Sequence, residues 1–200
     1  MPNYIRSFKE LGGEEEGLAG GKGRVLAELY RAGYPIPDGF VILPAAFCGD
    51  ELKPEAWQQV GTYLERLRRA GRDTTFAVRS SGLSEDAAAA SYAGEFETVL
   101  SVERDDEVLR AIAAVRSSRD SLRLQAYSQA QGQSTGHEMA VVVQRMVRPD
   151  LAGVLFTVNP VSGSLMEMAG NFVHGLGESL VSGQANAETF TFDKPGGKYH

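Results

Sequence analysis

The sequence predicts an α/β (α+β) fold in two parts, and three observations support this prediction. Up to about residue 135, short apolar runs typical of strands alternate with segments that have a helical repeat of apolar residues. From residue 139 onward, four β-type runs punctuated by glycine and proline follow one another. Apolar residues make up 42% of the 200 residues and charged residues 23%, the composition of a chain that buries a core. We therefore predict an α/β first part at 1–135 and a β-rich second part at 136–200.

The first part begins with a loop rich in glycine and glutamate at 13–23, followed by a helix that carries Val25 to Tyr30 and stops at Gly33. Its further predicted elements are a strand at 40–43, a helix at 54–70, a strand at 75–80, a polar loop at 81–95, a strand at 96–102, a helix that opens at 103–107 and a helical stretch at about 120–130. By the period of two, Phe96, Thr98, Leu100 and Val102 should share one face of their strand. In the second part, strands are predicted at 139–147, 152–159, 165–173 and 188–194.

Charge and cysteine content exclude several classes of protein. The net charge of −6 argues against a surface that clamps nucleic-acid backbone, although it is compatible with a local basic pocket. The single cysteine, Cys48, cannot form a disulfide framework and favours a reducing compartment, so we expect a cytoplasmic protein. No apolar run approaches 18 residues and residues 1–12 lack an apolar signal-peptide core, so we expect no membrane partner.

A glycine cluster with one lysine is the first candidate binding motif. Gly20, Gly21, Lys22 and Gly23 stand at the head of the first predicted helix, where backbone amides, the helix N-terminus and a lysine charge suit an anion. No Ser or Thr follows Lys22 and no clear strand precedes the loop, so the motif is neither a Walker A loop nor a dinucleotide fingerprint. The alternative is a solvent-exposed loop with a surface lysine.

Arg79 lies near the end of a buried-type strand, where ligand-contacting side chains are common in α/β folds. Its planar guanidinium could bind phosphate, or it could pair with Glu85 or Asp86 and fix the following loop. Further along, Gly94 would allow the backbone to approach a ligand closely, and Thr98 could bind a ligand oxygen.

Gln144 and Met146 stand in the run MAVVVQRMV, where a strand can offer polar atoms to a flat heterocycle while methionine packs on its face. The alternative for Met146 is an ordinary core position. Glu178, after a glycine turn, is most simply a partner of a helix dipole. His137, His174 and His200 have no ligand spacing, so we predict no metal ligand and no catalytic residue in the chain.

Seven segments in order resemble one known family. They are GGKG at 20, PIPDGFVI at 35, VRSSGLSED at 78, SYAGEFETVL at 91, MAVVVQRMV at 139, AGVLFTVNP at 152 and GLGESLVSG at 175. Together they resemble the N-terminal nucleotide-binding region of the group formed by phosphoenolpyruvate synthase, pyruvate phosphate dikinase and rifampin phosphotransferase. The resemblance runs through nearly the whole chain.

The resemblance implies an ATP-grasp-like fold of two lobes, with ATP between them and magnesium as a cofactor. Lys22 and Arg79 would contact the ATP phosphates, and Gly94 and Thr98 would belong to a glycine loop over them. Gln144 and Met146 would border the adenine. Phosphoryl transfer needs positioning and positive charge, which these residue types supply.

The chain also departs from the family pattern. The stretch between Gly39 and Val78 is shorter than expected, and the acidic and Gln-x-Arg segments that hold the metal are absent, as are the phosphohistidine domain and the acceptor-binding domain. We therefore expect a fragment or a truncated relative, inactive alone, whose parent splits ATP to AMP and passes a phosphoryl group to a histidine of a partner domain. The alternative is a non-catalytic nucleotide-binding or interaction module. An incomplete second lobe should expose a strand edge, so we also expect self-association around Val142 or Phe190.

Overall fold

The structure is a computed structural model that describes residues 2–69, 71, 74–83, 98–129, 138–184, 186–194 and 198–199. Its strands are β1 (Ile5–Ser7), β2 (Gly39–Ile42), β3 (Phe47–Cys48), β4 (Glu51–Leu52), β5 (Phe76–Gly82), β6 (Thr98–Val102), β7 (Met139–Arg145), β8 (Leu151–Phe156), β9 (Glu167–His174), β10 (Glu188–Asp193) and β11 (Lys198–Tyr199). Its α-helices are α1 (Gly20–Arg31), α2 (Pro54–Arg69), α3 (Asp105–Gln129) and α4 (Glu178–Val181), and 3-10 turns occur at Gly13–Leu18 and Pro44–Ala46. These elements confirm the mixed α/β class.

The chain divides into two compact units, Met1–Met146 and Val147–His200. The predicted division after residue 135 assigns the run that begins at Met139 to the second part, and this assignment is wrong. That run forms β7, the central strand of the sheet in the first unit, where it pairs with β2 and β5. Its residues from Met139 to Gln144 are all buried, because both faces of the strand are covered.

The first unit contains a five-stranded antiparallel sheet in the order β1-β2-β7-β5-β6. Side chains of successive strand residues point to opposite faces, so the sheet supports two cores. On one face, Phe40, Val78 and Val143 pack in a cluster with residues of α2 and α3. On the other, Val41 and Val142 pack with Ala27 of α1, and we call this side the α1 face.

Beyond shifts of a single residue, three predictions for elements of the first unit differ from the structure. The loop expected at 13–23 instead contains a 3-10 turn followed by the start of α1 at Gly20. Strand β5 continues beyond residue 80 to Gly82, because Ser81 and Gly82 still pair with β7. The two helical stretches expected after residue 103 are one helix, α3.

The expected common face of strand β6 is also wrong. Thr98 is the register partner of Arg79 on the α1 face, whereas Val102 is the partner of Phe76 in the opposite core. One extra residue of β6 lies between these two pairings, and Ser101 has a φ of 58° there. This bulge reverses the alternation of side chains within the strand. Phe96 lies outside the described residues.

The second unit contains a four-stranded antiparallel sheet in the order β11-β10-β9-β8. The rings of Phe172 and Phe190 pack across β9 and β10 at an angle of 52°, with their centroids 6.2 Å apart. Gly170 lies beneath the Phe190 ring, where an added Cβ would come within 2.6 Å of the ring atom Cε1. Strand β8 pairs only with β9 among the described residues, and Leu151, Leu155 and Phe156 are exposed on it.

Within the described ranges, no helix has the length and apolar character that crossing a membrane requires.

The turn after β1 is joined to α2 through Glu10. Glu10 Oε2 accepts hydrogen bonds from the Ser7 backbone N–H at 3.1 Å and from the Tyr63 hydroxyl at 2.7 Å, and Oε1 lies 3.4 Å from Arg66. Burial alone would raise the pKa of Glu10, but the hydrogen bonds from Ser7 and Tyr63 and the charge of Arg66 outweigh it and lower the pKa to about 2. Burial and the hydrogen bond to Glu10 raise the pKa of Tyr63 to about 12.

We expect the substitution Glu10→Gln to remove a pH-dependent part of the stability. The pKa of Glu10 is lower in the folded chain than its ordinary value of 4.5, so the ionised carboxylate stabilises the fold above about pH 4.5 and this contribution disappears as the pH falls toward 2. The Glu10 side chain is 44% exposed, so solvent screening should reduce the contribution to about 1 kcal/mol. Urea unfolding of both proteins between pH 2 and 7 measures the difference.

The exposed Glu51 provides the control, because Glu51→Gln should shift the free energy of unfolding little at any pH. If the difference in the free energy of unfolding between wild type and Glu10→Gln grew as the pH fell, the stabilising role of the ionised Glu10 carboxylate would be contradicted.

Candidate functional site

The glycine cluster begins α1 in direct contact with strand β5. Gly20 has a φ of +70°, and a Cβ on it would lie 2.5 Å from Ser81 Oγ. Gly23 is less closely confined, since a Cβ there would lie 3.3 Å from a methyl group of Val41. Glycine is therefore required at Gly20 both for its backbone conformation and for the close approach to β5. This contact brings the N-terminus of α1 to the end of β5.

Ser81 makes this contact through its hydroxyl group. Its Oγ donates a hydrogen bond to the Ala19 carbonyl oxygen at 2.8 Å and accepts one from the Gly23 N–H at 3.0 Å. Ala19 precedes the helix and has no side-chain oxygen with which to cap it, so Ser81 satisfies one of the helix's first N–H groups from the neighbouring strand. Lys22, partly buried, lies in the first helical turn between the two residues that Ser81 holds.

Arg79 and Thr98 lie on the same face of the sheet as this helix start. Arg79 is the register partner of the buried Val142 on one side and of Thr98 on the other, and Ser81 follows two residues later on the same face. Arg79 is exposed, and no ion pair among the described residues includes it. The structure thus presents a guanidinium beside a threonine hydroxyl, two donors of the kind that phosphate oxygens accept.

Gln144 lies diagonally from Arg79 on this face, since it is two residues beyond Val142 and pairs with Ala77. It is 8% exposed, and its Nε2 donates to the Pro37 carbonyl oxygen at 3.0 Å. Met146 is partly buried just past the end of β7, where its N–H donates to the Thr75 carbonyl oxygen at 2.8 Å. The amide nitrogen of Gln144 and the backbone N–H of Met146 therefore already have partners within the fold.

The structure thus brings Arg79, Thr98 and Gln144 onto one face of the sheet and docks the segment that contains Lys22 against it. Gly94, and the alternative Arg79 partners Glu85 and Asp86, lie outside the described residues. Glu178 is exposed in the first turn of the short helix α4. Over the described ranges, no group of three or more His, Cys, Asp or Glu residues could hold a metal ion.

The sequence alone does not point to Ser81, because residues 81–95 lack a regular period and therefore predict a loop. One signal for Ser81 was present in the sequence. If β5 continues through both serines, its even-numbered residues face the core that contains Phe76 and Val78, and its odd-numbered residues, Ser81 included, face α1.

Comparison with known proteins gives evidence about the family of this chain that does not depend on the structure. Residues 43–199 match the family described as pyruvate phosphate dikinase, AMP/ATP-binding domain. The chain is 32% identical over 241 residues to a probable phosphoenolpyruvate synthase of Methanothermobacter thermautotrophicus, an alignment that covers 99% of this chain and 35% of that protein. It is 30% identical over 225 residues to a rifampicin phosphotransferase of Streptomyces sviceus, with 94% of this chain and 26% of the relative covered.

A further relative is an uncharacterized phosphotransferase, YvkC, of Bacillus subtilis, 32% identical over 200 residues that cover 90% of this chain and 24% of the relative. The chain thus spans between a quarter and about a third of the length of these curated relatives. Because the family match includes most of the chain and the relatives align along nearly all of it, the chain belongs to the pyruvate phosphate dikinase AMP/ATP-binding domain family.

Proposed function

We propose that this chain is the ATP-binding part of a dikinase-type phosphotransferase with an ATP-grasp-like nucleotide site. In the complete enzyme, ATP would be split to AMP and a phosphoryl group would pass to a histidine of a partner domain. The observation that carries the proposal is the exposed Arg79, which lies two residues from the point where Ser81 holds the N-terminus of α1. Membership of the family supports it.

The proposed roles follow from where the residues lie. Arg79 and Lys22 would neutralise phosphate oxygens, and the positive end of the α1 dipole would add to their field. Thr98, the register partner of Arg79, would donate its hydroxyl to the same phosphates. On the family resemblance alone, Gly94 would belong to a glycine loop over the phosphates. Phosphoryl transfer requires mainly such positioning and charge stabilisation.

The adenine would lie near the end of β7. The Nε2 atom of Gln144 is engaged by Pro37, so we propose that Oε1 accepts a hydrogen bond from the exocyclic amine of adenine. Met146 would contact the ring through its flexible thioether side chain. These two residues would therefore set the preference for the base, and Lys22 and Arg79 the preference for the phosphates.

Magnesium supplies charge neutralisation in phosphoryl transfer and would accompany the nucleotide. We assign no ligand for the ion, because the described residues contain no group of three potential metal ligands.

The first test of this proposal is ATP binding by calorimetry. We expect Lys22→Ala and Arg79→Ala each to weaken ATP binding by about 1–3 kcal/mol through loss of charge-assisted hydrogen bonds, and to leave adenosine binding nearly unchanged. Arg110→Ala is the matched control, because Arg110 is an exposed arginine whose partner is Asp106 on α3. If both variants bound ATP with wild-type affinity, the proposal that Lys22 and Arg79 contact the ATP phosphates would be wrong.

Assays of AMP formation separate the proposal from the alternative of a non-catalytic binding module. We expect the chain alone to form little or no AMP and magnesium to strengthen ATP binding only slightly. We expect AMP formation when the phosphohistidine-bearing part of a complete relative is supplied together with its metal-binding segment. ATP binding without AMP formation under that condition would favour the non-catalytic module.

We also propose that the chain self-associates, with β8 as its pairing edge. Val142 is excluded, because β7 is paired on both sides and Val142 is fully buried. Near Phe190, β10 is hydrogen-bonded to β9 along its whole length, but its other side meets β11 only at Phe192 and Asp193, so the prediction of pairing near Phe190 stands beside that for β8. Strand β8 has one open side among the described residues and carries no charged residue or proline, the usual protections of an edge.

We expect antiparallel β8–β8 pairing between two copies, which sedimentation velocity would detect as a concentration-dependent mass. Leu155→Lys should reduce association by placing like charges close together at the paired edge, whereas Val161→Lys, in a loop of the same unit, should not. A wild-type chain that stays monomeric at every concentration would exclude this interface.

A further inference from the structure

The buried hydroxyl of Ser81 connects two parts of the proposed site that are far apart in sequence. Ser81 has no exposed surface, and its Oγ bonds the backbone at Ala19 and at Gly23. These two residues flank Lys22, the lysine that we assign to phosphate. Ser81 also belongs to the same strand and the same face as Arg79. One side chain therefore holds the lysine segment against the arginine strand.

The contact leaves the lysine segment little freedom to shift. The backbone at Gly20 approaches Ser81 so closely that a Cβ would lie 2.5 Å from Oγ and 2.6 Å from the Ser81 carbonyl carbon. On the other side of Lys22, Gly23 packs against Val41 of β2. A hydroxyl at position 81 supplies both the donor for Ala19 and the acceptor for Gly23, and alanine would leave both backbone groups without this partner.

The adjacent serine provides an internal contrast. Ser80 is also buried, with 1% of its surface exposed, but it belongs to the opposite face of the sheet, where Phe76 and Val78 pack. Its Oγ has no hydrogen-bond partner among the described residues. Two neighbouring serines of one strand are thus both buried, and of the two only the Ser81 hydroxyl is hydrogen-bonded to the start of α1.

We infer that Ser81 is a positioning residue that sets the spacing between Lys22 and Arg79 without touching the nucleotide. This inference rests on the proposed function. Two cations bind a polyphosphate best when their separation is set before the ligand arrives, because no binding energy is then spent on ordering them. Loss of the Ser81 hydroxyl should therefore weaken recognition of the phosphates and spare recognition of the base.

The test compares Ser81→Ala with Ser80→Ala, each titrated with ATP and with adenosine. We expect Ser81→Ala to weaken ATP binding about tenfold and to change adenosine binding less than about twofold, and Ser80→Ala to change neither. A double-mutant cycle adds a readout that loss of stability would not produce. Lys22→Ala should cost less ATP affinity in the Ser81→Ala background than in wild type, because the lysine is already displaced there.

Ser81→Cys, with Ser80→Cys as its control, keeps the test decisive if Ser81→Ala does not fold. The thiol is close in size and a weaker hydrogen-bonding group, so we expect an intermediate loss of ATP affinity. Equal ATP affinity for the position-81 and position-80 variants, or equal loss of ATP and adenosine binding, would overturn the inference. Failure of the proposed function would look different, because wild type would then bind no ATP or would bind it independently of Lys22 and Arg79.

Discussion

The packing of β7 in the middle of the five-stranded sheet is the constraint on which the first unit depends. Its apolar run from Ala140 to Val143 is covered on both faces, so every side chain of the run contributes to one core or the other. Because the side-chain period of a strand is two, a slip of one residue would exchange the two cores. The register of β2 and β5 against β7 is therefore strongly determined.

This register also determines the candidate site. Val41, Val142, Arg79 and Thr98 form one row across β2, β7, β5 and β6. The first two residues of the row are buried with α1, and Arg79 is exposed at the level of the same row. The packing that stabilises the α1 face thus places a guanidinium on it. The bulge in β6 is needed as well, because it allows Thr98 to face Arg79 while Val102 packs in the opposite core.

The contact between α1 and β5 combines backbone and side-chain requirements. The conformation of Gly20, the small size of Gly23 and the two hydrogen bonds of Ser81 all act on the same five-residue segment. In a protein that recognises phosphate, such rigidity has a clear use, since preorganised donors lose little entropy on binding. The second unit differs from this closely packed contact, because apolar side chains are exposed along β8 and the edge of that strand carries no charged residue.

Local signals in the sequence are enough to predict the fold class, the existence of most helices and strands, and the family. Periodicity was sufficient for α2 and β2, and the ordered set of motifs was sufficient for the family, because these signals are contained in local runs of residues. Placing Arg79 on the face of the sheet that carries α1 required the tertiary structure, because strand pairing is a long-range property that no local run encodes.

The tertiary structure also decided the partner strands of β7, the bulge in β6 and the role of Ser81. The run at 139–147 looks like a strand of the β-rich second part, but it pairs with β2 and β5 in a sheet whose faces are covered by α1 on one side and by α2 and α3 on the other. The alternation from Phe96 to Val102 fails because one extra residue is accommodated near Ser101, where φ is positive. Ser81 and Gly23 are separated by 58 positions in the chain, and only folding brings the serine hydroxyl to the N-terminus of α1.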